Sequence, residues 1–392
     1  MLWTTTPPCW REISGADVAA APELDPASLP PPPVASPAWM TASSGSTGSP
    51  KLIAPGVVTA MGEGTMPMSA GPSSFADNSD HRHPVHVVAT PLYHMHGFSL
   101  LCKVLVEDYR VVIMPRFDAR EFLDIVEREH VAFFALVPTM VIRLLREPDI
   151  KARDFSSVEN GILGTGATPD WAVRQWIDVI GADTLLMGYG MSESLVASFI
   201  RGREWLEHPG SVGKPILAET MVADAAGKAL PPGEWGELYF RPLAGEHSFK
   251  YVGKAEKRTL PGGWVSVGDL GKLDDEGYLY ILDRRTDMVV TGGANVFVSE
   301  VEAALLAHGD VADVAVIGLA DPEWGRRVHA IVQLKPGADQ AAADTRLRAH
   351  SKTMLAAYKA PRSFEFVADL GRSEAGKLNR QALTRQREPE ST

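Results

Sequence analysis

Short apolar runs alternate with amphipathic helical patterns from Trp39 onward, and this alternation constrains the fold more than any other feature of the chain. The runs VHVVATPL, RVVIMP, AFFALVP, NGILGTG and TLLMGYG predict strands, and the intervening stretches DAREFLDIVEREH and TPDWAVRQWIDVI predict helices. Strands that alternate with helices form parallel sheets covered by those helices. We therefore expect an α/β fold with a large domain of helix-covered β-sheets.

The pattern changes after Ser211, where glycines punctuate strands such as GEWGELYF and GYLYILD and predict a small antiparallel β-subdomain. A small α+β unit follows the stretch DRRTD. Its first helix is predicted to begin at SEVE, because Ser299 and Glu302 have the spacing of a capping box.

Three regions follow from these patterns. Residues 1–40 form an irregular, proline-rich N-terminal segment, residues 41–283 the large domain, and residues 284–392 the small C-terminal domain.

Charge and cysteine content exclude several classes of protein. The formal net charge of −11 argues against a nucleic-acid partner, which would need a basic face. The chain contains only Cys9 and Cys102, so a disulfide framework and a cysteine-based zinc site are both excluded. The most apolar stretch, VAFFALVP, is too short to span a membrane, and the N-terminus lacks the pattern of a signal peptide. We expect a cytoplasmic protein.

The stretch SSGSTGSPK, from Ser43 to Lys51, suits a polyphosphate ligand. Its glycines allow backbone N–H groups to converge, its hydroxyls add donors, and its lysine supplies a point charge. It is not a Walker A loop, because no Gly-Lys-Ser/Thr ending occurs and the strand-like KLIAP follows. On composition alone, a mobile glycine/serine linker is an equal alternative.

The loop resembles the phosphate loop of acyl-adenylate-forming enzymes, the superfamily of acyl-CoA synthetases, luciferases and peptide-synthetase adenylation domains. Further motifs of that family follow in order: PLYHMHG, GTGATP, GYGMSE, HPGSVGKP, GWVSVGDLG, DRRTDMVVTGGANVFVSEVE and GRSEAGKLNR. The resemblance therefore extends from Ser43 to Arg380. It implies that 41–283 holds the ATP and acyl sites and that 284–392 is a mobile lid.

The resemblance implies a reaction in two halves, with ATP, Mg²⁺ and CoA as cofactors. A carboxylate attacks the α-phosphate of ATP to give an acyl-adenylate and pyrophosphate, and a thiol then takes the acyl group and releases AMP. The implied nucleotide-binding residues are Ser43, Ser44, Gly45, Ser46, Thr47, Gly48, Lys51, Gly166, Ala167, Thr168, Gly188, Tyr189, Gly190, Met191, Ser192, Asp269 and Arg284. Among them, Asp269 is expected to accept both ribose hydroxyls, and Tyr189 to stack on adenine.

The same resemblance assigns the catalytic and metal roles. Lys377 would bring an ammonium to the α-phosphate, His94 would gate the acyl site, and Ser192 would bond the α-phosphate. Glu193 and Thr47 would hold Mg²⁺, which prefers hard oxygen ligands. The turn at Gly292 and Gly293 would face CoA.

The acyl pocket is expected near His94 and Tyr189, lined by Tyr93, His96, Phe98, Met187, Gly188 and Leu195. Relatives that use dicarboxylates need a cation just before the Tyr-Gly motif, and Met187 and Gly188 supply none. We therefore expect a carboxylic acid with an apolar body. The contexts HPGSVGKP and SSGSTGSPKLI resemble those of ligases for bulky cyclic acids.

The chain departs from the family pattern in three places. Only 42 residues precede the phosphate loop, so we expect most of the usual N-terminal subdomain to be absent and a homo-oligomer or a partner to cover the exposed side. Val298 replaces the usual proline, and Thr286 occupies the hinge position where aspartate or lysine is more frequent.

The segment AAYKAPRSFEFV resembles acyl-CoA synthetases, and no carrier domain follows it, so a CoA ligase is the favoured function. Transfer of the acyl group to a carrier-protein pantetheine or to another nucleophile is the first alternative. A non-catalytic nucleotide-binding regulator or scaffold is the second, although the presence of Lys51, Glu193, Asp269 and Lys377 argues against it.

Overall fold

The computed structural model of the chain describes residues 41–42, 52–54, 84–106, 109–193, 195–243, 249–252, 257–373 and 376–388. The predicted N-terminal segment 1–40 and the predicted phosphate loop Ser43–Lys51 lie outside these residues. None of the described helices is long and apolar enough to cross a membrane.

A seven-stranded sheet, here called the central sheet, has the strand order β4-β3-β5-β6-β7-β8-β9. The first five strands in that order are parallel, and β8 and β9 continue the sheet in antiparallel pairing. This confirms the predicted parallel sheet. The strands are β3 (Val85–Val88), β4 (Arg110–Ile113), β5 (Val131–Leu136), β6 (Asn160–Gly164), β7 (Leu185–Gly190), β8 (Ala197–Arg201) and β9 (Lys214–Ile216).

Helices connect the strands of the central sheet and cover it. All six residues of β5 are buried, which explains its uninterrupted apolar sequence, since both faces of a parallel strand are covered. The helix after β4 begins at its N-cap Asp118, whose side chain accepts the Glu121 N–H at 2.9 Å. The helices are α1 (Met95–Val106), α2 (Ala119–Arg128), α3 (Pro138–Leu144), α4 (Asp170–Ile180) and α5 (Gly202–Glu207), with a short 3-10 helix at Ile150–Ala152.

A second, antiparallel sheet forms the β-subdomain that the glycine-punctuated sequence predicts. Its strands are ordered β13-β14-β11-β15-β16, and β10 also pairs with β11. Three further short strands form the sheet β1-β2-β12. The strands are β1 (Thr41–Ala42), β2 (Leu52–Ala54), β10 (Ala218–Ala223), β11 (Gly236–Pro242), β12 (Lys250–Val252), β13 (Arg258–Leu260), β14 (Trp264–Ser266), β15 (Asp269–Leu273) and β16 (Leu279–Arg284).

The C-terminal unit is a small α+β structure with its own core. Its main sheet has the order β19-β20-β21, and a separate hairpin pairs β17 with β18. Buried residues of both the sheet and the helices pack together, including Val301, Leu305, Val316 and Leu347. The elements are β17 (Val289–Thr291), β18 (Ala294–Val296), α6 (Val298–Leu306), β19 (Val311–Asp321), β20 (Gly325–Leu334), α7 (Gln340–Met354), β21 (Ser363–Val367) and α8 (Arg380–Arg385).

The predicted capping box at the start of α6 is wrong. The helix begins at Val298, and its N-cap is Phe297, two residues before the predicted cap Ser299, with no side-chain hydrogen bond from that position. The Ser299 hydroxyl instead donates to the Leu282 carbonyl at 2.6 Å. Glu302 forms an ion pair with Arg380, because a carboxylate gains more from a partly buried cation than from an N–H at a helix end.

Candidate active site

Tyr189, Asp269 and Arg284, three predicted nucleotide residues, lie in contact where the central sheet meets the β-subdomain. The Tyr189 hydroxyl donates to Asp269 Oδ2 at 2.6 Å, and Arg284 Nε lies 3.3 Å from Asp269 Oδ1. The antiparallel register places Asp269 directly opposite Arg284 on β15 and β16. Only 5% of Asp269 is exposed. Burial, together with the Asp269 charge, raises the pKa of Tyr189 well above its usual value, so Tyr189 remains a hydrogen-bond donor.

A cavity of about 840 Å³ opens beside these residues and reaches the C-terminal unit. Its walls include the turn after β6 and the end of β7, both of which the sequence motifs single out. The Thr168 hydroxyl in that turn is buried and has no hydrogen-bond partner among the described residues. Predicted nucleotide residues that line the cavity besides the contacting three are Gly166, Ala167, Thr168, Gly188 and Gly190.

Lys377 enters the same cavity from the C-terminal unit. Lys377 as a whole is exposed, but its ammonium group lies inside the cavity, between residues of the two units. Desolvation there and the Arg284 charge lower the pKa of Lys377, and Glu193 raises it in part. The preceding Gly376 has φ +73°, and a side chain there would lie 2.5 Å from Thr139 Oγ1. Glycine is therefore required for this loop to approach the large domain so closely.

Arg372 supports the Lys377 loop from within the C-terminal unit. Its guanidinium forms two bonds with the Asp313 carboxylate, at 2.6 and 2.9 Å, and donates to the Gly376 carbonyl at 2.9 Å. Ser373 also bonds both backbone groups of Lys377. The Ser373 N–H donates to the Lys377 carbonyl, and the Ser373 hydroxyl accepts the Lys377 N–H. The loop is thus attached to β19, which carries Asp313.

A second cation, Arg380, lies three residues after Lys377, and no role is predicted for it from the sequence. Arg380 Nη2 donates to both carboxylate oxygens of Glu302, at 2.7 and 2.8 Å, and Arg380 Nη1 lies 3.5 Å from Asp287 Oδ2. Burial alone would lower the pKa of Arg380, but these carboxylates raise it above its usual value. Nearby, burial raises the pKa of Asp283 to about 6, although its carboxylate accepts the backbone N–H groups of Ser299 and Arg284.

Glu193 and Ser192, both half-buried, follow β7 in a turn. Glu193 Oε1 accepts a hydrogen bond from the Tyr251 hydroxyl at 2.8 Å, and Oε2 has no hydrogen bond to a described residue. The described residues contain no cluster of three histidine, cysteine, aspartate or glutamate side chains that could enclose a metal. Mg²⁺ is usually held by one or two carboxylates together with substrate phosphates, so Glu193 fits such an ion. The other predicted metal residue, Thr47, lies outside the described residues, as do Ser43, Ser44, Gly45, Ser46, Gly48 and Lys51.

The histidine motif lies at the start of α1. Burial, followed by the Lys377 charge, lowers the pKa of His94, and the same two causes lower the pKa of His96 to about 4. Both imidazoles are therefore neutral at pH 7. His94 Nε2 is buried and has no hydrogen-bond partner among the described residues, so it can accept or donate one bond to a ligand. The Tyr93 ring is 4.7 Å from the His94 ring and is 66% exposed.

The predicted acyl-pocket residues are divided among three places: the cavity, the start of α1 and the core of the β-subdomain. Met187 and Gly188 line the cavity, and a side chain at Gly188 would lie 3.0 Å from the Phe199 ring. Phe98 is half-buried on α1. Leu195 is only 2% exposed and packs in the core of the β-subdomain, as does the partly buried Met191. Leu195 is thus a member of a hydrophobic cluster, and an apolar residue after a turn gives the same sequence signal in a pocket and in a core.

Gly292 and Gly293, the predicted CoA-side residues, form the turn between β17 and β18 with φ +55° and +81°. The Gly292 N–H donates to the Trp324 carbonyl at 2.9 Å. A side chain at Gly292 would lie 2.5 Å from the Trp324 ring, so both the backbone angle and the space require glycine.

Comparison with known proteins identifies the family that carries this arrangement. Residues 6–245, more than half of the chain, match the family described as AMP-binding enzyme. The chain belongs to the AMP-binding enzyme family. Residues 300–377 also match the C-terminal domain of AMP-binding enzymes, the region that ends at Lys377. The predicted membership of the acyl-adenylate-forming superfamily is confirmed.

Similar proteins include ligases with different acids in their names. The chain is 34% identical over 306 residues to a 2-succinylbenzoate–CoA ligase of Bacillus licheniformis, covering 77% of this chain and 61% of the relative. It is 33% identical over 303 residues to a long-chain-fatty-acid–CoA ligase of Bacillus subtilis, covering 75% and 52%. The chain thus spans between half and two thirds of the length of these two relatives.

The fold is similar to that of o-succinylbenzoate CoA synthetase from Bacillus subtilis. The structure of that enzyme with its acyl-adenylate intermediate has a TM-score of 0.72 and 29% identity, covering 88% of this chain and 68% of that one. Its structure with ATP and magnesium ion has a TM-score of 0.70 and covers 88% and 69%. The predicted α/β class, with a large domain followed by a small C-terminal domain, is confirmed.

Proposed function

We propose that this protein activates a carboxylic acid with ATP to form an acyl-adenylate and then transfers the acyl group to CoA. The observation that supports this most is the meeting of Lys377 with Tyr189, Asp269 and Arg284 in one cavity. The buried Asp269 carboxylate can accept hydrogen bonds from the ribose hydroxyls of a nucleotide, and the Lys377 ammonium can offset negative charge on the α-phosphate. The names of the similar ligases point in the same direction.

In the first half-reaction, a carboxylate oxygen of the acid attacks the α-phosphorus of ATP, and the bond to the departing pyrophosphate breaks. Asp269 would fix the ribose, and Lys377 would offset the negative charge that collects where the acid carboxylate and the α-phosphate meet. A carboxylic acid is ionised at pH 7 and needs no base, so neutral His94 and His96 would contact it through hydrogen bonds alone. Mg²⁺, held by Glu193 and the phosphates, would neutralise charge on the departing pyrophosphate.

In the second half-reaction, the CoA thiol attacks the acyl carbon, and AMP leaves with the bonding electrons. We propose that the C-terminal unit then turns about the segment from Asp283 to Asp287, so that the Gly292 turn faces the acyl group. Thr286 in this segment carries no charge. Glycines at 292 and 293 suit a narrow passage, because they add no side chain there.

The acid is proposed to have an apolar, bulky body. Met187 and Gly188 line the cavity without offering a cation, and neither histidine of the motif is charged at neutral pH. These features favour an uncharged group at that wall over a second carboxylate. The 2-succinylbenzoate relatives are named for a cyclic acid that carries two carboxylates, so they support the cyclic body and not the uncharged wall, and the fatty-acid relative is named for an apolar chain.

The decisive experiment measures pyrophosphate release from ATP across a panel of aromatic, alicyclic and straight-chain acids, with and without CoA. We expect release with at least one acid, and a thioester only when CoA is present. Pyrophosphate release without a thioester would favour a carrier protein or another nucleophile as the acceptor. Nucleotide binding without any release would instead support the regulator hypothesis.

Two further expectations remain predictions. A reducing cytoplasmic compartment is supported by the low cysteine content alone. Self-association or a covering partner is the second expectation, and the sedimentation coefficient of the purified chain tests self-association.

A further inference from the structure

A tyrosine that belongs to none of the predicted site residues holds the candidate metal carboxylate. The Tyr251 hydroxyl donates to Glu193 Oε1 at 2.8 Å, across 58 residues of sequence. The Tyr251 ring packs edge-on against the buried Phe249, with ring centroids 4.9 Å apart. The hydroxyl therefore reaches Glu193 from a ring whose position is fixed by other contacts.

The strand that carries Tyr251 also pairs with the strand that follows the predicted phosphate loop. On β12 and β2, Tyr251 lies opposite Ile53, and Val252 lies opposite Leu52. Ile53 is fully buried in the core of the β-subdomain, and Leu52 directly follows Lys51 in the chain. One short strand thus joins the carboxylate proposed to hold the metal to the element that leads out of the loop proposed to hold the phosphates.

We propose that Tyr251 is a positioning residue for magnesium: by holding Glu193 Oε1, it keeps the carboxylate in one orientation and leaves Oε2 to the ion. The proposal rests on the proposed function, since it needs a nucleotide-bound Mg²⁺. Partners that orient a metal ligand in this way typically change metal affinity or activity about 10- to 100-fold when they are removed.

The chain offers a matched control for removal of this hydroxyl. Tyr278 donates to Glu204 Oε1 at 2.5 Å and is 6% exposed. Tyr251→Phe and Tyr278→Phe each remove one hydroxyl and one tyrosine–glutamate hydrogen bond, and each keeps the ring. Glu204 lies on α5 and belongs to none of the proposed binding sites, so Tyr278→Phe measures the general cost of losing a tyrosine–glutamate hydrogen bond.

The test is calorimetric binding of ATP without an acid, in excess Mg²⁺ and in EDTA. The measured quantity is the ratio of the two affinities. Tyr251→Phe should lower that ratio about tenfold or more, whereas affinity for ATP in EDTA and for AMP should stay unchanged. Tyr278→Phe should keep the wild-type ratio. Glu193→Gln should lower the ratio, and adding Tyr251→Phe to it should change the ratio no further, because both act on one interaction.

The outcomes separate the two proposals. A wild-type protein whose ATP affinity is the same with and without Mg²⁺ would overturn the proposed function. If Mg²⁺ strengthens ATP binding in the wild type and Tyr251→Phe does not change the ratio of the two affinities, only the role of Tyr251 is overturned. An equal fall in both phenylalanine variants would also overturn it, because the effect would then be general. If Tyr251→Phe does not fold, Glu193→Asp keeps the carboxylate but withdraws it from the Tyr251 hydroxyl and should lower the ratio, so an unchanged ratio would overturn the proposal instead.

Discussion

The two sides of the candidate site are built in opposite ways. On the nucleoside side, Asp269 lies on a sheet strand, is almost fully buried, and is paired with both Tyr189 and Arg284. On the opposite side, Lys377 lies on a loop of the C-terminal unit and forms no ion pair with any residue that the structure describes. The Asp269 charge thus has its partners before a ligand binds, whereas the Lys377 charge has no carboxylate partner among the described residues.

This difference corresponds to two kinds of work. A buried carboxylate that already has partners keeps its geometry and can bind the same sugar in both half-reactions. A cation without a carboxylate partner, with its pKa lowered by desolvation and Arg284, gains most when anions enter. We infer that the nucleoside side supplies binding and that Lys377 supplies stabilisation that changes during the reaction.

Removal of the unpaired charge should have the largest effect. Lys377→Ala is expected to slow pyrophosphate release from acid and ATP by about a hundred- to a thousandfold, or roughly 3–4 kcal/mol. Thioester formation from supplied acyl-adenylate and CoA should be nearly spared, because Lys377 then no longer faces the α-phosphate. Lys352→Ala, which removes an exposed lysine on α7, is the control. Equal loss in both half-reactions would contradict a role confined to the first.

The paired cation three residues later should affect stability instead of chemistry. Arg380→Ala leaves Glu302 and Asp287 without their cation, and loss of one partner of a buried pair costs about 3 kcal/mol or more. Urea unfolding of the C-terminal unit, followed by tryptophan fluorescence, measures this loss. Arg203→Ala, which breaks a pair with Asp183 whose two side chains are more than 70% exposed, should change the stability far less, because water screens an exposed pair. Similar costs for both would show that the Arg380 pairs contribute little.

On the nucleoside side, Asp269→Asn should weaken AMP binding by roughly 1.5–3 kcal/mol, the usual contribution of a hydrogen bond to a charged group. Asparagine keeps the shape and an acceptor for Tyr189, so the loss reports mainly on charge. Lys377→Ala should change AMP affinity less than this in the same calorimetric titration. If the two variants weaken AMP equally, the two sides are not distinct.

The smallest effect is expected at Asp283, next to the junction of the two units. Its folded pKa of about 6 lies above its usual value of 3.8, so the folded state binds the proton more tightly than the unfolded state. The contribution of Asp283 to stability is therefore present below pH 3.8 and is lost as the pH rises through about 6. The groups facing it are Arg380, Asp287 and the backbone amides of Ser299 and Arg284.

The rise in the pKa of Asp283 from 3.8 to about 6 corresponds to about 3 kcal/mol. Asparagine cannot ionise but accepts the two backbone N–H bonds less well, which offsets part of this, so above pH 6 Asp283→Asn should be more stable than the wild type by about 1–2 kcal/mol. Below the usual aspartate pKa, the two proteins should be nearly equal. Urea unfolding across this pH range checks the slope. A constant difference at every pH would assign the effect to the lost hydrogen-bond acceptor.

Local patterns in the sequence were sufficient for the fold class and for most of the residues that meet in the cavity. The buried run VAFFAL and the helical period around Phe122 are local signals, and Asp269 and Lys377 could be found because each lies in a recognisable motif. Contacts between distant residues gave no such signal. The pairs of Tyr251 with Glu193 and of Arg380 with Glu302 join residues 58 and 78 positions apart, and no spacing rule covers them.

The capping box predicted at Ser299 shows that a local pattern can also be overridden by contacts with residues distant in the sequence. Ser299 and Glu302 satisfied a local rule, but each side chain found a partner from another element. Leu195 is similar, because packing with Phe249 and Ile53 decides its place, and neither residue is near it in the sequence.

The bonds from Arg372 to Asp313 and Gly376 have a consequence for how the reaction could be switched. Because Arg372 attaches the loop to the sheet, Lys377 keeps a fixed position within the C-terminal unit. A change of a few backbone torsions between the units would then carry the charge away from the phosphate as one piece, with no loop to refold. Such a switch needs little reorganisation, and its speed would depend on the connection between the units and not on the residue that does the chemistry.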